Sequence, residues 1–407
     1  MELDRLLRKL YVELPARGRL SGVRVELDKV DRRGLSAAIV LNATVQVNSV
    51  GDVRIPGHKT VLKVGPLPDI IEESSRYDEF VRFGMELDQR VELLGTATAD
   101  TLGALVYSFA GGLHRQDLTS LDEILRLEFL GADADLSAQV IRDLFQAKRW
   151  WSIEAKPQRV SDYFKDNYRC DLNRSANTLA AQLRELPATL GRSVTVEALA
   201  AGGDQILRIP GAPPLTIPGS RVLGAGSHLR RVPTCLAHGD MHGGNVLFES
   251  EPGHEPGDSV KLDRVCVIDY RNAGFGPRCV DAVALESSVR LADSEAVCRA
   301  LNDAGETALT ARQRAGLARE MAQRYEAELQ IYRWTFNGTG EPPTGPWATI
   351  ALEVLAGLCS CFPDVTLKEY LATAIPYGIR NLGYDVLPVA SVRMCAWLSA
   401  LYELSHS

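Results

Sequence analysis

The stretch HGDMHGGN, His238 to Asn245, followed one hairpin later by VCVIDY, Val265 to Tyr270, decides how this chain is read. Eight positions carry two histidines, an aspartate, an asparagine and three glycines, and they follow directly on Thr234-Cys235-Leu236-Ala237. Asp240, Asn245 and Asp269 are spaced as a phosphoryl-transfer site requires. Such a site needs a carboxylate beside an acceptor hydroxyl and hard oxygen ligands for a magnesium ion that bridges phosphates. Asp240 suits the first task, Asn245 and Asp269 the second, and Gly243-Gly244 lets the backbone turn tightly between them. Asp269 comes directly after an apolar strand, where a carboxylate without a partner is costly to bury and a cation is its natural partner.

Working outward, VRVELDKV (23–30), AIVLNATVQV (38–47) and HKTVLKVG (58–65) have the alternation and β-branched content of strands joined by short turns, which predicts an antiparallel sheet. A helix is expected from about Asp69, read as its cap, to about Leu87, and ALVYSFAGG (104–112) reads as one more buried strand. Beyond residue 112 the pattern turns helical at 120–130, 136–151 and 175–186. A Pro/Gly-rich, irregular or β-like insert (206–226) follows, then the hairpin that carries the two motifs, then helices to the end. The expected organisation is a β-rich lobe over 1–110 and a mainly helical lobe over 111–407, the latter holding a catalytic loop at 238–245 and a metal-binding segment at 265–276.

The string His238-Gly239-Asp240-x-His242-x-x-Asn245, with Ile268-Asp269-Tyr270, Gly274-x-Gly276-Pro277 and Asp281 downstream, resembles the aminoglycoside phosphotransferase and choline kinase superfamily. The resemblance implies an α+β, protein-kinase-like bilobal fold: a small antiparallel β-sheet lobe with one main helix, and a large, mainly helical lobe. It implies ATP and magnesium as cofactors, Asp240 as the catalytic aspartate, Asn245 and Asp269 as magnesium ligands, and His238 and His242 as supports of the loop. The continuation Asp281-x-x-x-Leu285-Glu286 is also similar to a bacterial kinase-like family, the ternary-complex-associated domains linked to conflict systems.

Such a fold requires a strand lysine that grips phosphates and a helix glutamate that braces it. Lys63 is the lysine flanked by an apolar strand pattern. At 3.6 residues per turn Glu73 shares the stripe of Ile70, Tyr77, Phe80 and Val81, whereas Glu72 lies with Asp69, Arg76 and Glu79. Glu73 is therefore the expected partner. No G-x-G-x-x-G is present; Gly34 and Ser36 in RRGLSAA (32–38) are the candidates for a phosphate-covering turn, and backbone groups from Tyr107 to Ala110 are expected to meet adenine.

The 407 residues carry a net charge of −7, with 45% apolar and 24% charged residues, which is ordinary globular composition. No like-charge block makes a nucleic-acid footprint or a membrane anchor, and no apolar run reaches the roughly 20 residues a span needs. The opening MELDRLLRKLYVEL lacks the apolar core of a signal peptide. Eight scattered cysteines without C-x-x-C spacing suggest free thiols in the cytoplasm. The expected partner is a small molecule with a hydroxyl, and a protein partner is also compatible. Two other readings compete: a kinase-fold nucleotide-binding or interaction module of a bacterial defence system with reduced catalysis, and a metal-dependent hydrolase using His238, Asp240 and His242.

Overall fold

A computed structural model describes residues 6, 10, 23–29, 38–47, 58–86, 89–108, 119–129, 135–146, 151–190, 193–199, 202–220, 231–250, 262–303, 311–382 and 388–406. The chain groups into two compact units, Met1–Thr119 with Leu247–Gly274, and Ser120–Val246 with Phe275–Ser407. The segment expected to bind metal thus groups, up to Gly274, with the N-terminal residues rather than with 111–407. The reason is local bonding. Val267 donates its N–H to the Gln89 carbonyl at 2.9 Å, and Arg271 reaches Asp69 at 2.8 Å.

The first unit is built on β1 (Val23–Lys29), β2 (Ile39–Val47), β3 (His58–Pro66), β4 (Leu93–Ala99) and β5 (Leu102–Ser108), in the spatial order β1-β2-β3-β5-β4 with every pairing antiparallel. Leu62, Val64, Ala104 and Val106 pack with Leu6 and Leu10 in one apolar cluster. Over the sheet runs α1 (Leu67–Arg76), continued by a π-helical turn Tyr77–Val81 and a last turn Arg82–Gly84. The expected Asp69 cap is absent. Proline in the first turn sets the start, since it lacks the N–H that a helix terminus leaves unpaired, and Asp69 lies inside that turn. The helix approaches so closely at Gly103 that a Cβ there would lie 2.7 Å from Ile70.

The second unit is mainly helical: Leu121–Phe129, Asp135–Gln146, Val160–Tyr168, Leu172–Leu190, Val280–Asp303, Ala311–Asn337, Pro346–Cys361, Leu367–Leu382 and Pro388–Leu404. Within the insert expected to be irregular or β-like, Gln205–Arg208 pairs antiparallel with Leu215–Ile217, and Thr195–Ala198 before it completes a small meander. Together the described residues form an α+β chain, one unit built on an antiparallel sheet with a helix over it and the other mainly helical. None of the described helices is long and apolar enough to cross a membrane.

Helix Val280–Asp303 is anchored by a buried charge network. Arg290 meets Glu286 at 2.7 Å and Glu328 at 2.5 Å, and the Tyr332 hydroxyl donates to Glu286 at 2.9 Å. Two carboxylates share one guanidinium, and Glu286 Oε2 finds no partner among the described residues. Burial, countered by Arg290 and reinforced by Glu328, pushes the Glu286 carboxyl up to about 7. The folded chain therefore holds a proton that the unfolded chain, with a carboxyl near 4.5, has released. Stability from this group falls as pH rises from 4.5 to about 7. Glu286→Gln removes the titration and is expected to flatten that slope in urea denaturation on either side of the window. Parallel slopes in parent and variant would contradict the assignment.

Candidate functional site

Lys63 lies at the centre of the first sheet, opposite Val40 on β2 and Leu105 on β5. Its Nζ meets Glu73 Oε2 at 2.7 Å and Asp269 Oδ1 at 2.8 Å, so residues from β3, α1 and the segment after strand Leu262–Val267 converge on one ammonium. Lys63 is 7% and Glu73 1% exposed, deep enough that neither charge is stable there without the other. Burial works against the ammonium, but the two carboxylates outweigh it and hold its pKa above the ordinary lysine value. Burial raises the Glu73 carboxyl, against which Lys63 and the Tyr107 hydroxyl, donating at 2.8 Å, both act. Glu72, the rival candidate, pairs instead with Arg76 at 3.2 Å.

Asp269 is held in the left-handed region, φ 66° and ψ 73°, which costs a residue with a Cβ about 1–3 kcal/mol. Its neighbours impose that conformation. Tyr270 is buried, its hydroxyl accepts from the Val91 N–H at 3.1 Å and donates to the Val267 carbonyl, and its ring meets Tyr77 edge-on at 5.5 Å. Arg76 donates to the Ala273 carbonyl at 2.9 Å. The segment 267–273 is thereby fixed along α1 and presents a carboxylate that is 35% exposed.

In the second unit the loop from His238 to Asn245 leaves strand Arg231–Ala237 and ends in a 3-10 turn, Gly243–Asn245. Asp281, in the first turn of helix Val280–Asp303, holds the loop. It accepts from the His238 N–H at 2.9 Å, the Gly239 N–H at 2.8 Å and the Trp151 indole at 2.8 Å. Burial raises the Asp281 carboxyl, while His238 and these donors oppose that rise. Further along, the Gly243 N–H donates to Ser288 at 2.9 Å, and a Cβ at Gly243 would fall 2.3 Å from Asp122. A side chain at this position would have to displace the Asp122 carboxylate and would press on the Asp122 backbone nitrogen, 3.0 Å away.

Asp240 is partly exposed, and its carboxylate accepts from the Tyr377 hydroxyl at 3.4 Å. Asn245 donates its side-chain nitrogen to the Asp240 carbonyl at 2.9 Å, which turns the amide oxygen the other way. The imidazole Nδ1 of His238 accepts from the Asp240 N–H at 3.3 Å, and that of His242 from the Gly244 N–H at 3.2 Å. Both histidines thus brace the loop's backbone. Among the described residues no three His, Cys, Asp or Glu side chains converge as metal ligands.

Gly34, Ser36 and Ala110 lie outside the described residues. Tyr107 is described and lies in a strand, as expected, paired on both sides with Val61 and with Leu93, and its hydroxyl donates to Glu73. Sequence reasoning also missed Tyr168, Tyr377 and Arg380 around Asp240, and the donors that Asp281 satisfies. None of the missed residues lies within a motif, and Tyr377 is 137 positions from Asp240.

No family model matches the chain, and no curated protein matches it. Among solved structures, the aminoglycoside-3'-phosphotransferase of type VIII is 17% identical, covering 77% of this chain and 96% of its own, with a TM-score of 0.35. A choline/ethanolamine kinase family protein from Mesorhizobium loti is 13% identical, covering 92% and 100%, with a TM-score of 0.32. A macrolide 2'-phosphotransferase from Brachybacterium faecium is 14% identical, covering 89% and 99%, with a TM-score of 0.29. Scores of this size carry no argument, and the chemistry rests on the side chains.

Asp281→Ala leaves three buried N–H donors without a partner, at about 1–3 kcal/mol for each that water cannot reach. A loss of roughly 3–5 kcal/mol in urea denaturation is expected. A loss below about 1 kcal/mol, the range of surface substitutions, would show that the loop is held by something else.

Proposed function

We propose that the chain is an ATP- and magnesium-dependent phosphotransferase that moves a γ-phosphoryl group to the hydroxyl of a small molecule. The observation that carries this reading is the sharing of the buried Lys63 ammonium between Glu73 and Asp269. A surface lysine would need no such arrangement, whereas a lysine that must stay charged and fixed against phosphate oxygens does. In this reading Lys63, held by Glu73, grips phosphates. Asp269 and the amide oxygen of Asn245 are the magnesium ligands, and when bound the ion neutralises charge on the phosphate oxygens.

Asp240 orients the acceptor hydroxyl and takes its proton. The acceptor oxygen bonds to the γ-phosphorus as the bond from that phosphorus to the β–γ bridging oxygen breaks, giving ADP and a phosphate ester, and the proton passes from Asp240 to solvent. Tyr377 remains a donor to Asp240 rather than a rival base. Burial and the neighbouring Asp240 carboxylate both raise its hydroxyl pKa.

Asp240→Asn is expected to lower turnover about 10²–10⁴-fold, the usual worth of a positioned base, while leaving the ATP–magnesium thermal shift near that of the parent. ATP binding without consumption across an acceptor panel would make the chain a nucleotide-binding module, the reading that also suits a defence assembly. Absence of any ATP–magnesium shift in the parent would remove both.

A further inference from the structure

We propose that the second unit carries a binding site for a small organic cation, an ammonium on a short alkyl chain, in a cavity beside the last helix. The cavity has a volume of about 350 Å³ and is lined by Thr216, Tyr325, Ser399, Tyr402, Glu403 and His406. That volume is within the range of small-ligand sites. None of these residues belongs to the loop His238 to Asn245 or to the cluster around Lys63. Ser399, Tyr402 and Glu403 stand at i, i+3 and i+4 in helix Pro388–Leu404, which puts them on one side of its last turns, and His406 follows in the turn beyond it. A stripe with that spacing on a packed helix is ordinarily apolar. Here it is polar, and it lines the cavity together with Tyr325 of helix Ala311–Asn337 and Thr216 of strand Leu215–Ile217.

The polar groups of the cavity decide its ligand. Both tyrosine hydroxyls are committed to carboxylates: Tyr325 donates to Glu403 Oε2, and Tyr402 donates to Asp204 Oδ2 at 2.8 Å. Burial, together with those carboxylates, raises both phenols above their ordinary pKa, so they stay neutral donors. Ser399 accepts from the Thr216 N–H at 2.9 Å, and Asp204 Oδ1 from the Gly219 N–H at 3.0 Å. His406 is turned to the backbone, its Nδ1 2.9 Å from the Tyr402 carbonyl and its ring edge-on to Tyr402 at 4.4 Å. Glu403 is the group with capacity left. Its side chain is half exposed, and Arg333 Nη2 lies 4.0 Å from Oε1, beyond hydrogen-bond reach. Arg333 is 45% exposed, and an ion pair so open to water holds little. An ammonium can therefore donate to Oε1 while the Tyr325 hydrogen bond stays intact, with its alkyl part against the tyrosine rings. An anion would meet Glu403 and, behind Tyr402, Asp204. A hard metal ion asks for more oxygen ligands than one glutamate supplies.

Calorimetric titration of the full chain with n-butylammonium, set against n-butanol and butyrate of the same chain length, tests this without requiring phosphoryl transfer. Butylammonium is expected to bind at least about tenfold more tightly than either, the worth of one charge-assisted hydrogen bond. Glu403→Gln, which keeps an acceptor for Tyr325, should remove that preference while the ATP–magnesium thermal shift is unchanged. Arg333→Gln works in the opposite direction: it takes away the competing guanidinium and should tighten butylammonium binding about threefold, a gain that a variant merely damaged in its fold would not show. Absence of butylammonium binding at millimolar concentration, equal binding of the three probes, or a preference that survives Glu403→Gln would each overturn the proposal. Loss of butylammonium binding in Asp240→Asn would overturn it as well, since the cation would then sit at the loop. None of these outcomes bears on the phosphotransferase reading, which stands or falls with ATP binding and turnover.

Discussion

An ammonium enclosed in protein is unstable unless carboxylates compensate for its lost hydration, and most features of the first unit follow from meeting that demand at Lys63. One carboxylate comes from α1 and the other from a segment 206 residues further along the chain. Both must arrive within hydrogen-bond distance, so α1 is pressed onto β5 at Gly103, and the segment carrying Asp269 is held to α1 and to the chain before β4 by Arg76, Arg271 and Tyr270. The left-handed backbone at Asp269 is a consequence of this arrangement. Local strain persists because several independent contacts determine the same position.

The second unit solves a similar problem with the charges reversed. Its loop from His238 to Asn245 is short, rich in glycine and full of backbone N–H groups that no regular element satisfies. A buried carboxylate, Asp281, accepts from two of them, and Ser288 accepts from a third. Both come from helix Val280–Asp303, which is itself fixed through Arg290. The loop's backbone is thereby tied to the core beneath it, while the Asp240 side chain keeps access to solvent. Rigid support under an accessible carboxylate is what positioning of a hydroxyl requires.

Much of this was legible in the sequence where side-chain pattern and local structure agree. β2 and β3 lie within a residue or so of where alternation put them, and the helical stripe around Glu73 separated it from Glu72. β4, LLGTATA, was missed because alanine, threonine and glycine give weak alternation, although six pairs with β5 hold it in place. Strand Glu154–Arg159, EAKPQR, reads as a loop because it is charged and contains Pro157; its pairing with strand Arg231–Ala237 makes it a strand. Tertiary pairing overrides local propensity in both places.

The sequence by itself determined the chemistry on offer: an Asp, Asn and Asp at set spacings, a strand lysine and a helix glutamate, because those properties depend on residue type and on the period of the element that carries them. Only the tertiary structure decided that Tyr107 serves Glu73, that Asp281 closes the loop rather than merely starting a helix, and that Arg380 and Tyr377 stand beside Asp240. Those pairings join residues dozens to more than a hundred positions apart, and no local period encodes a contact at that range. They come from helix packing, which brings side chains together according to shape and burial, whatever their distance along the chain.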